Sequence, residues 1–180
     1  MPRIRYAVVG EGYIAQVAVL PAFRNASKNS VLTAIVSGDA VKRSHLGRTY
    51  GISHLYSYEQ YDEMLAAGVA DVVYIALPND MHREYTVRAA SAGLHVLCEK
   101  PMAVTAQDCV AMIEAAEEAG VKLMIAYRLH FDPANLQAVE LVRSGRLGEP
   151  KLFTSTFTMQ VYPPNIRLEA ERGEIGRAHV

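Results

Sequence analysis

The sequence predicts an α/β fold, a doubly wound parallel sheet, and three observations carry that prediction. Short apolar runs of strand length alternate with segments of helical period. A Gly-x-Gly loop joins the first apolar run to the first helical segment. A Glu-Lys-Pro tripeptide closes a later run, at the strand end where open α/β sheets bind ligands.

Each element follows from its local pattern. Ile4 to Val9 is an apolar run ended by Gly10, as expected of a strand buried on both faces. Ile14, Val17, Ala18 and Leu20 recur at helical spacing until Pro21 disturbs the helix. Val31 to Val36 is a second strand. Val41 to Tyr50 is a helix ended by Gly51, and Tyr58 to Ala67 is another ended by Gly68. Val72 to Leu77 is a strand, and Arg83 to Ala92 is a helix closed by Gly93. The short strand His95 to Cys98 follows. Ala106 to Ala119 is a helix stopped at Gly120, and Leu123 to Ala126 is the next strand. Right-handed crossovers place helices on both faces.

After about residue 128 the pattern changes. Pro133 to Ser144 predicts one more helix, with Leu136, Val139, Leu141 and Val142 available for packing. Phe153, Ser155, Phe157, Met159 and Val161 then alternate with Thr154, Thr156, Thr158 and Gln160. That period of two predicts a half-solvated antiparallel strand of a different sheet. The expected organisation is a nucleotide-binding domain over residues 1–128 and the incomplete start of a second, α+β domain over 129–173. Residues 174–180 resemble translated sequencing adapter and are expected to be a non-native tail.

Composition bounds the function. The 180 residues are 51% apolar and carry a formal charge of −1, which gives no electrostatic case for nucleic acid or an acidic membrane. No apolar stretch approaches the ~18 residues of a membrane span. The first strand starts almost at Met1, which leaves no room for a signal peptide. Cys98 and Cys109 are too few for a disulfide framework and lack metal-ligand spacing. A cytoplasmic, metal-independent protein is expected.

Gly10-Glu11-Gly12-Tyr13-Ile14-Ala15 matches G-x-G-x-x-A between a strand and a helix. Gly10 makes the tight turn, Gly12 lets backbone approach a pyrophosphate, and the small Ala15 allows close helix–strand packing. The helix start, with Tyr13 and Ile14, offers N–H groups to phosphates. The ribose-reading position lies about 20 residues on. There an aspartate would favour NAD, but the chain has Ser37 and Gly38, with Lys42 and Arg43 close behind. A small hydroxyl with nearby cations accommodates a 2′-phosphate, so NADP is favoured. Asp39 swinging to the ribose would favour NAD instead.

Ala76-Leu77-Pro78-Asn79-Asp80-Met81-His82 ends another strand. It reads as a loop along the nicotinamide half of the coenzyme, with Asn79 or Asp80 also able to cap the next helix. Lys100 could donate a charged hydrogen bond to a substrate oxygen. The structural alternative is a lysine snorkelling at a strand end, with Glu99 as its ion-pair partner.

Gly10–Ala15, Leu77-Pro78-Asn79 with His82, and above all Glu99-Lys100-Pro101 resemble the glucose–fructose oxidoreductase / inositol dehydrogenase (Gfo/Idh/MocA) family. Val36–Asp39 and Tyr127–Phe131 are similar to its glucose–fructose oxidoreductase branch. The resemblance implies a Rossmann fold, a nicotinamide coenzyme and a sugar, polyol or related substrate. It implies that Lys100 is catalytic, hydrogen-bonding the reacting hydroxyl or carbonyl, and that Glu99 and Pro101 shape the nicotinamide pocket, with a cis peptide before Pro101. Ser37 and Lys42 match positions that contact the 2′-phosphate. Tyr127 and Arg128 match a segment between coenzyme and substrate. The family's remaining acid/base group, an Asp followed about four residues later by Tyr or His, has no counterpart after Arg128. An N-terminal fragment with little turnover is therefore expected, from a full-length protein that forms a homo-oligomer. A non-catalytic nucleotide sensor on the same fold is the alternative reading.

Overall fold

Branched and small apolar side chains on successive strand residues need cover on both sides of a sheet, and helices supply it here. The computed structural model describes residues 2–156 and 158. Its strands are β1 (Ile4–Val9), β2 (Ser30–Val36), β3 (His54–Tyr56), β4 (Val72–Ile75), β5 (His95–Cys98) and β6 (Leu123–Ile125). Its helices are α1 (Leu20–Asn25), α2 (Ala40–Tyr50), α3 (Tyr61–Ala66), α4 (His82–Ser91), α5 (Ala106–Glu118) and α6 (Pro133–Arg143). All strand pairs are parallel and the sheet order is β3-β2-β1-β4-β5-β6. The order reverses between β1 and β4, which makes the carboxyl ends of those two strands the switch point where such sheets bind ligands.

Alternation along β1 divides the core. Ala7 and Val9 face a cluster with Tyr61, Met64, Tyr85, Ala89 and Met112 from α3, α4 and α5. Val8 faces the opposite cluster, with Leu20 from α1, Leu46 from α2 and Val19 just ahead of α1. The Tyr61 hydroxyl, inside the first cluster, donates to the Tyr85 carbonyl at 2.9 Å. Outside the clusters, Arg5 ties the start of β1 to the turn before β4, its guanidinium 2.6 Å from Asp71. An open depression of about 480 Å³ lies beside this pair, lined by Thr33, His54 and Val69 at the amino end of the sheet.

Several expectations need correction. β3 was not anticipated: three half-exposed residues at a sheet edge carry too short a pattern to read. Residues 58–60 make a turn, so α3 starts at Tyr61. The first helix is continuous through Pro21, because Ala15–Val19 forms a wide π-turn in which the Leu20 N–H reaches back to the Ala15 carbonyl. This rotates Val19 and Leu20 inward and leaves Val17, expected in the core, 51% exposed. α6 forms where expected, but Leu136, Val139 and Val142 remain exposed on it. Residues 152–156 form no strand, and no described strand lies beside them to pair with. Thr158 is likewise outside any strand, and the remaining residues of that expected strand, with the expected tail, lie outside the described residues.

Met112 is fully buried where α5 meets the sheet. Met112→Ala is expected to lower the urea midpoint by an amount equivalent to about 2–5 kcal/mol. An unchanged midpoint would show that this helix is not part of the cooperative core.

Candidate functional site

The glycine loop is shaped by close backbone approach. Gly10 has φ +91°, and a Cβ there would stand 2.6 Å from the Ala76 carbonyl oxygen and 2.9 Å from Leu77 Cδ2. Only glycine satisfies both the dihedral and the contact. The Gly10 N–H donates to Val36 O at 3.0 Å, so the loop also leans on the end of β2. Gly12 faces open space, and Tyr13 beside it is 81% exposed. Helical backbone starts at residue 13, and Ala15 is fully buried against the sheet. The result is an open cradle over a helix N-terminus, with a polarity that suits a diphosphate.

At the end of β2, Ser37 is buried and its hydroxyl accepts from the Asp39 N–H at 3.3 Å. Asp39 is the N-cap of α2, accepting from the Lys42 N–H at 2.9 Å. That hydrogen bond holds its carboxyl below the usual range. Asp39 is thus committed to the helix. The Lys42 ammonium lies 3.8 Å from Asp39, and the Arg43 guanidinium donates to the Ser37 carbonyl. Gly38 lies under the Tyr58 ring, where a Cβ would come within 3.0 Å.

On the other side of the switch point, Leu77 and Pro78 leave β4. The residues at the two N-cap positions that follow are Pro78 and Met81, and neither supplies a capping side chain. Asn79 and Asp80 instead form one tight turn, Asn79–Met81. His82, grouped by sequence with the coenzyme-lining residues, is fully buried. Its Nε2 is 2.9 Å from Leu77 O and its Nδ1 is 2.9 Å from Pro101 O. It therefore serves the edge as a strut between two loops, with both ring nitrogens already engaged.

Glu99 and Lys100 follow β5 directly, and the Lys100–Pro101 peptide is cis. Glu99 is held from two sides: the Tyr74 hydroxyl donates to it at 2.7 Å and the Lys100 N–H donates at 3.2 Å. Burial, and then the Glu99 charge, push the Tyr74 hydroxyl far above the usual phenol range. Pro101 is buried and Lys100 is exposed at the rim. Cys98, behind them, is fully buried, and burial pushes its thiol up to about 12. It is a packing residue. Arg128 follows β6 and lies within electrostatic reach of Tyr74.

Register aligns these pieces. Val9 pairs with Ile75, and Ile75 pairs with Cys98, so residues 10, 76 and 99 start three neighbouring loops on one edge. Two strand spacings separate the glycine loop from Lys100 along that edge, roughly 10 Å. Sequence reasoning missed two members of the edge. Tyr74 fixes Glu99. Glu11, between the two loop glycines, is 2% exposed, and neither carboxyl oxygen has a hydrogen-bond partner among the described residues. Desolvation pushes its carboxyl up to about 8, against the pull of Lys42.

Residues 4–127 match the family model described as oxidoreductase family, NAD-binding Rossmann fold. The chain belongs to the Gfo/Idh/MocA family. It is similar to the D-xylose 1-dehydrogenase [NADP(+)] of Haloarcula marismortui, 32% identical over 93% of this chain and 48% of that protein. Among solved structures it is similar to the aldose-aldose oxidoreductase of Caulobacter crescentus, 47% identical, TM-score 0.79, over 82% of this chain and 44% of that one. It is also similar to the WlbA dehydrogenase of Bordetella pertussis, solved with NADH and UDP-GlcNAcA, 30% identical, TM-score 0.73, over 82% and 44%. The chain spans about half the length of the curated relatives it matches. Among the described residues no helix is long and apolar enough to cross a membrane, and no group of metal-ligating side chains occurs.

The raised Glu11 carboxyl has a consequence for stability. The folded form keeps a proton that the unfolded chain releases, so stability falls as pH rises from about 4.5 towards 8. Glu11→Gln is expected to remove that contribution, raising Tm relative to the parent at pH 8 but not at pH 4. The pH-dependent difference is at most about 1.4 kcal/mol per pH unit. Parallel Tm–pH curves for the two proteins would contradict this.

Proposed function

We propose that the chain carries the coenzyme half of an NADP-dependent oxidoreductase. The enzyme moves a hydride between nicotinamide and a sugar, polyol or related hydroxy or carbonyl substrate. The observation that carries this reading is the shared edge. A tight glycine loop and the Glu99-Lys100-Pro101 turn end strands two apart in one parallel sheet, astride its switch point. The named substrates of the similar proteins, xylose and aldoses, support the sugar-like class.

The residues present fit the coenzyme: the loop is closed on the sheet side by Ala76 and open at Gly12. Gly12, Tyr13 and Ile14 hold the diphosphate by backbone N–H groups, and Gly10, its own N–H given to Val36 O, makes the tight turn that presents them. Ser37, Gly38, Lys42 and Arg43 take the adenosine ribose and its 2′-phosphate, with Asp39 held away in its cap. Leu77, Pro78, Asn79, Glu99, Lys100, Pro101 and Arg128 line the nicotinamide half, and His82 fixes two of those loops from behind. When bound, the coenzyme supplies the hydride donor or acceptor.

Lys100 hydrogen-bonds the substrate oxygen and handles its proton, a role typically worth about 10²–10⁴-fold in rate. Glu99, fixed by Tyr74, shapes the pocket beneath it. Residues 129–173 begin a second domain, which completes the acid/base pair and the homo-oligomer contact in the whole protein. The free cysteines, Cys98 and Cys109, suit a reducing cytoplasm.

Coenzyme titration by calorimetry tests the site. NADPH is expected to bind more tightly than NADH, and Gly10→Ala should abolish both. Lys42→Ala should weaken NADPH on the order of tenfold, the ~1.4 kcal/mol of one charge-assisted contact, and leave NADH within about twofold. Equal loss for both coenzymes would remove Lys42 from the 2′ position. Turnover of the 180-residue chain is expected to fall far below the ~10 per second typical of enzymes. A rate near that value would show that the second acid/base group is already present.

A further inference from the structure

Glu11 is the one side chain at the coenzyme edge whose placement costs stability and is not repaid within the described residues. A carboxyl group buried with no hydrogen-bond partner is unfavourable, and such a group in a folded protein calls for a functional or structural reason. Both Glu11 oxygens are in that state. The backbone fixes where they are. Gly10 N–H bonds to Val36 O, and Val9 pairs with Val36, so Glu11 lies beside Ser37 and Gly38 at the end of β2. It is close enough to feel the Lys42 charge and to push up the hydroxyl of Tyr58, whose ring covers Gly38. This is the place where a carboxylate at the end of the second strand ordinarily meets the adenosine ribose. Here that strand end is Ser37-Gly38, and Asp39 is spent as a helix cap.

We infer that the Glu11 carboxyl reads the adenosine 2′ position, accepting from a 2′-hydroxyl when ionised and donating to a 2′-phosphate when protonated. The inference rests on the coenzyme-site reading given above. It makes the choice between the two coenzymes depend on a proton. A protonated carboxyl adds a donor to the cationic surroundings of Lys42 and Arg43. An ionised one places a negative charge against the phosphate and a good acceptor against the hydroxyl.

The other charged and titratable groups at this corner are Lys42, Arg43 and Asp39 from α2 and its cap, and Tyr58 and Glu59 from the segment ahead of α3, the Glu59 carboxyl being held below its usual range by the Ser57 side chain. Asp39 is held ionised by the Lys42 N–H, and burial keeps the Tyr58 hydroxyl protonated, so neither changes charge near neutrality. Glu11, pushed up to about 8 by burial, does. A coenzyme phosphate loses its second proton near pH 6, so measurements from pH 7 upward separate the two titrations.

The experiment titrates NADPH and NADH by calorimetry into the 180-residue chain and into Glu11→Gln and Glu11→Ala at pH 7, 8 and 9. In the parent, the ratio Kd(NADPH)/Kd(NADH) is expected to rise about tenfold between pH 7 and 9, following loss of one proton. In Glu11→Gln, which keeps the shape and a donor at every pH, the ratio should stay low and flat. In Glu11→Ala it should be flat and higher at pH 7 than in the parent. A parent ratio that does not move with pH overturns the inference, as does a Glu11→Gln ratio that moves in the same way. If both coenzymes bind and the variants match the parent, Glu11 alone is misassigned. If the parent binds neither coenzyme, the site reading falls and takes this inference with it.

Discussion

The close approach of the β1 loop to the β4 loop governs this structure. Gly10 sits with no room for a Cβ against the Ala76 carbonyl, in a backbone conformation that side chains disfavour. That contact draws two strand ends together at the point where the sheet changes direction. It leaves the far side of the loop, at Gly12, open. The same constraint orders the neighbours, because parallel register carries it from Val9 to Ile75 and on to Cys98. The Glu99-Lys100-Pro101 turn after β5 inherits its position from backbone pairing that begins at the glycine loop.

Buried polar contacts then lock the loops that the sheet brings together. His82 spans from Leu77 O to Pro101 O inside the protein, and Tyr74 reaches from β4 to Glu99. Each joins the β4 side of the edge to the β5 side. A buried imidazole or half-buried phenol placed in this way is costly to leave unsatisfied, so both favour a single arrangement of the rim. The exposed groups, Lys100 and Arg128, stand beside a framework in which His82, Tyr74 and Glu99 hold one another's loops in place.

The legible parts of the chain were those whose signal is periodic or punctuated. Strand runs such as Ile4–Val9 and His95–Cys98 are apolar because both faces are covered, and α2 ends at Gly51 because a left-handed residue is needed there. The candidate edge was legible because its residues stand directly after strands. What the sequence hid depends on three-dimensional surroundings. His54–Tyr56 pairs as an edge strand without an alternating pattern to announce it. Asp39 could equally cap a helix or reach a ribose, and only the geometry separates the two. His82 and Glu11 are single polar residues whose burial no period reports. The apolar stripe of α6 was legible as a helix face, yet burial needs a partner surface, and Leu136 and Val139 have none among the described residues.

The π-turn at Ala15–Val19 has a mechanical meaning for the helix that follows the glycine loop. Its extra residue per turn breaks the angular phase between the front of the helix, at Tyr13 and Ile14, and the rear, where Leu20 seats on the sheet. The two ends can therefore be tuned separately. Side chains may vary at the mouth while the anchor keeps its grip, as a flexible coupling lets two shafts turn out of true.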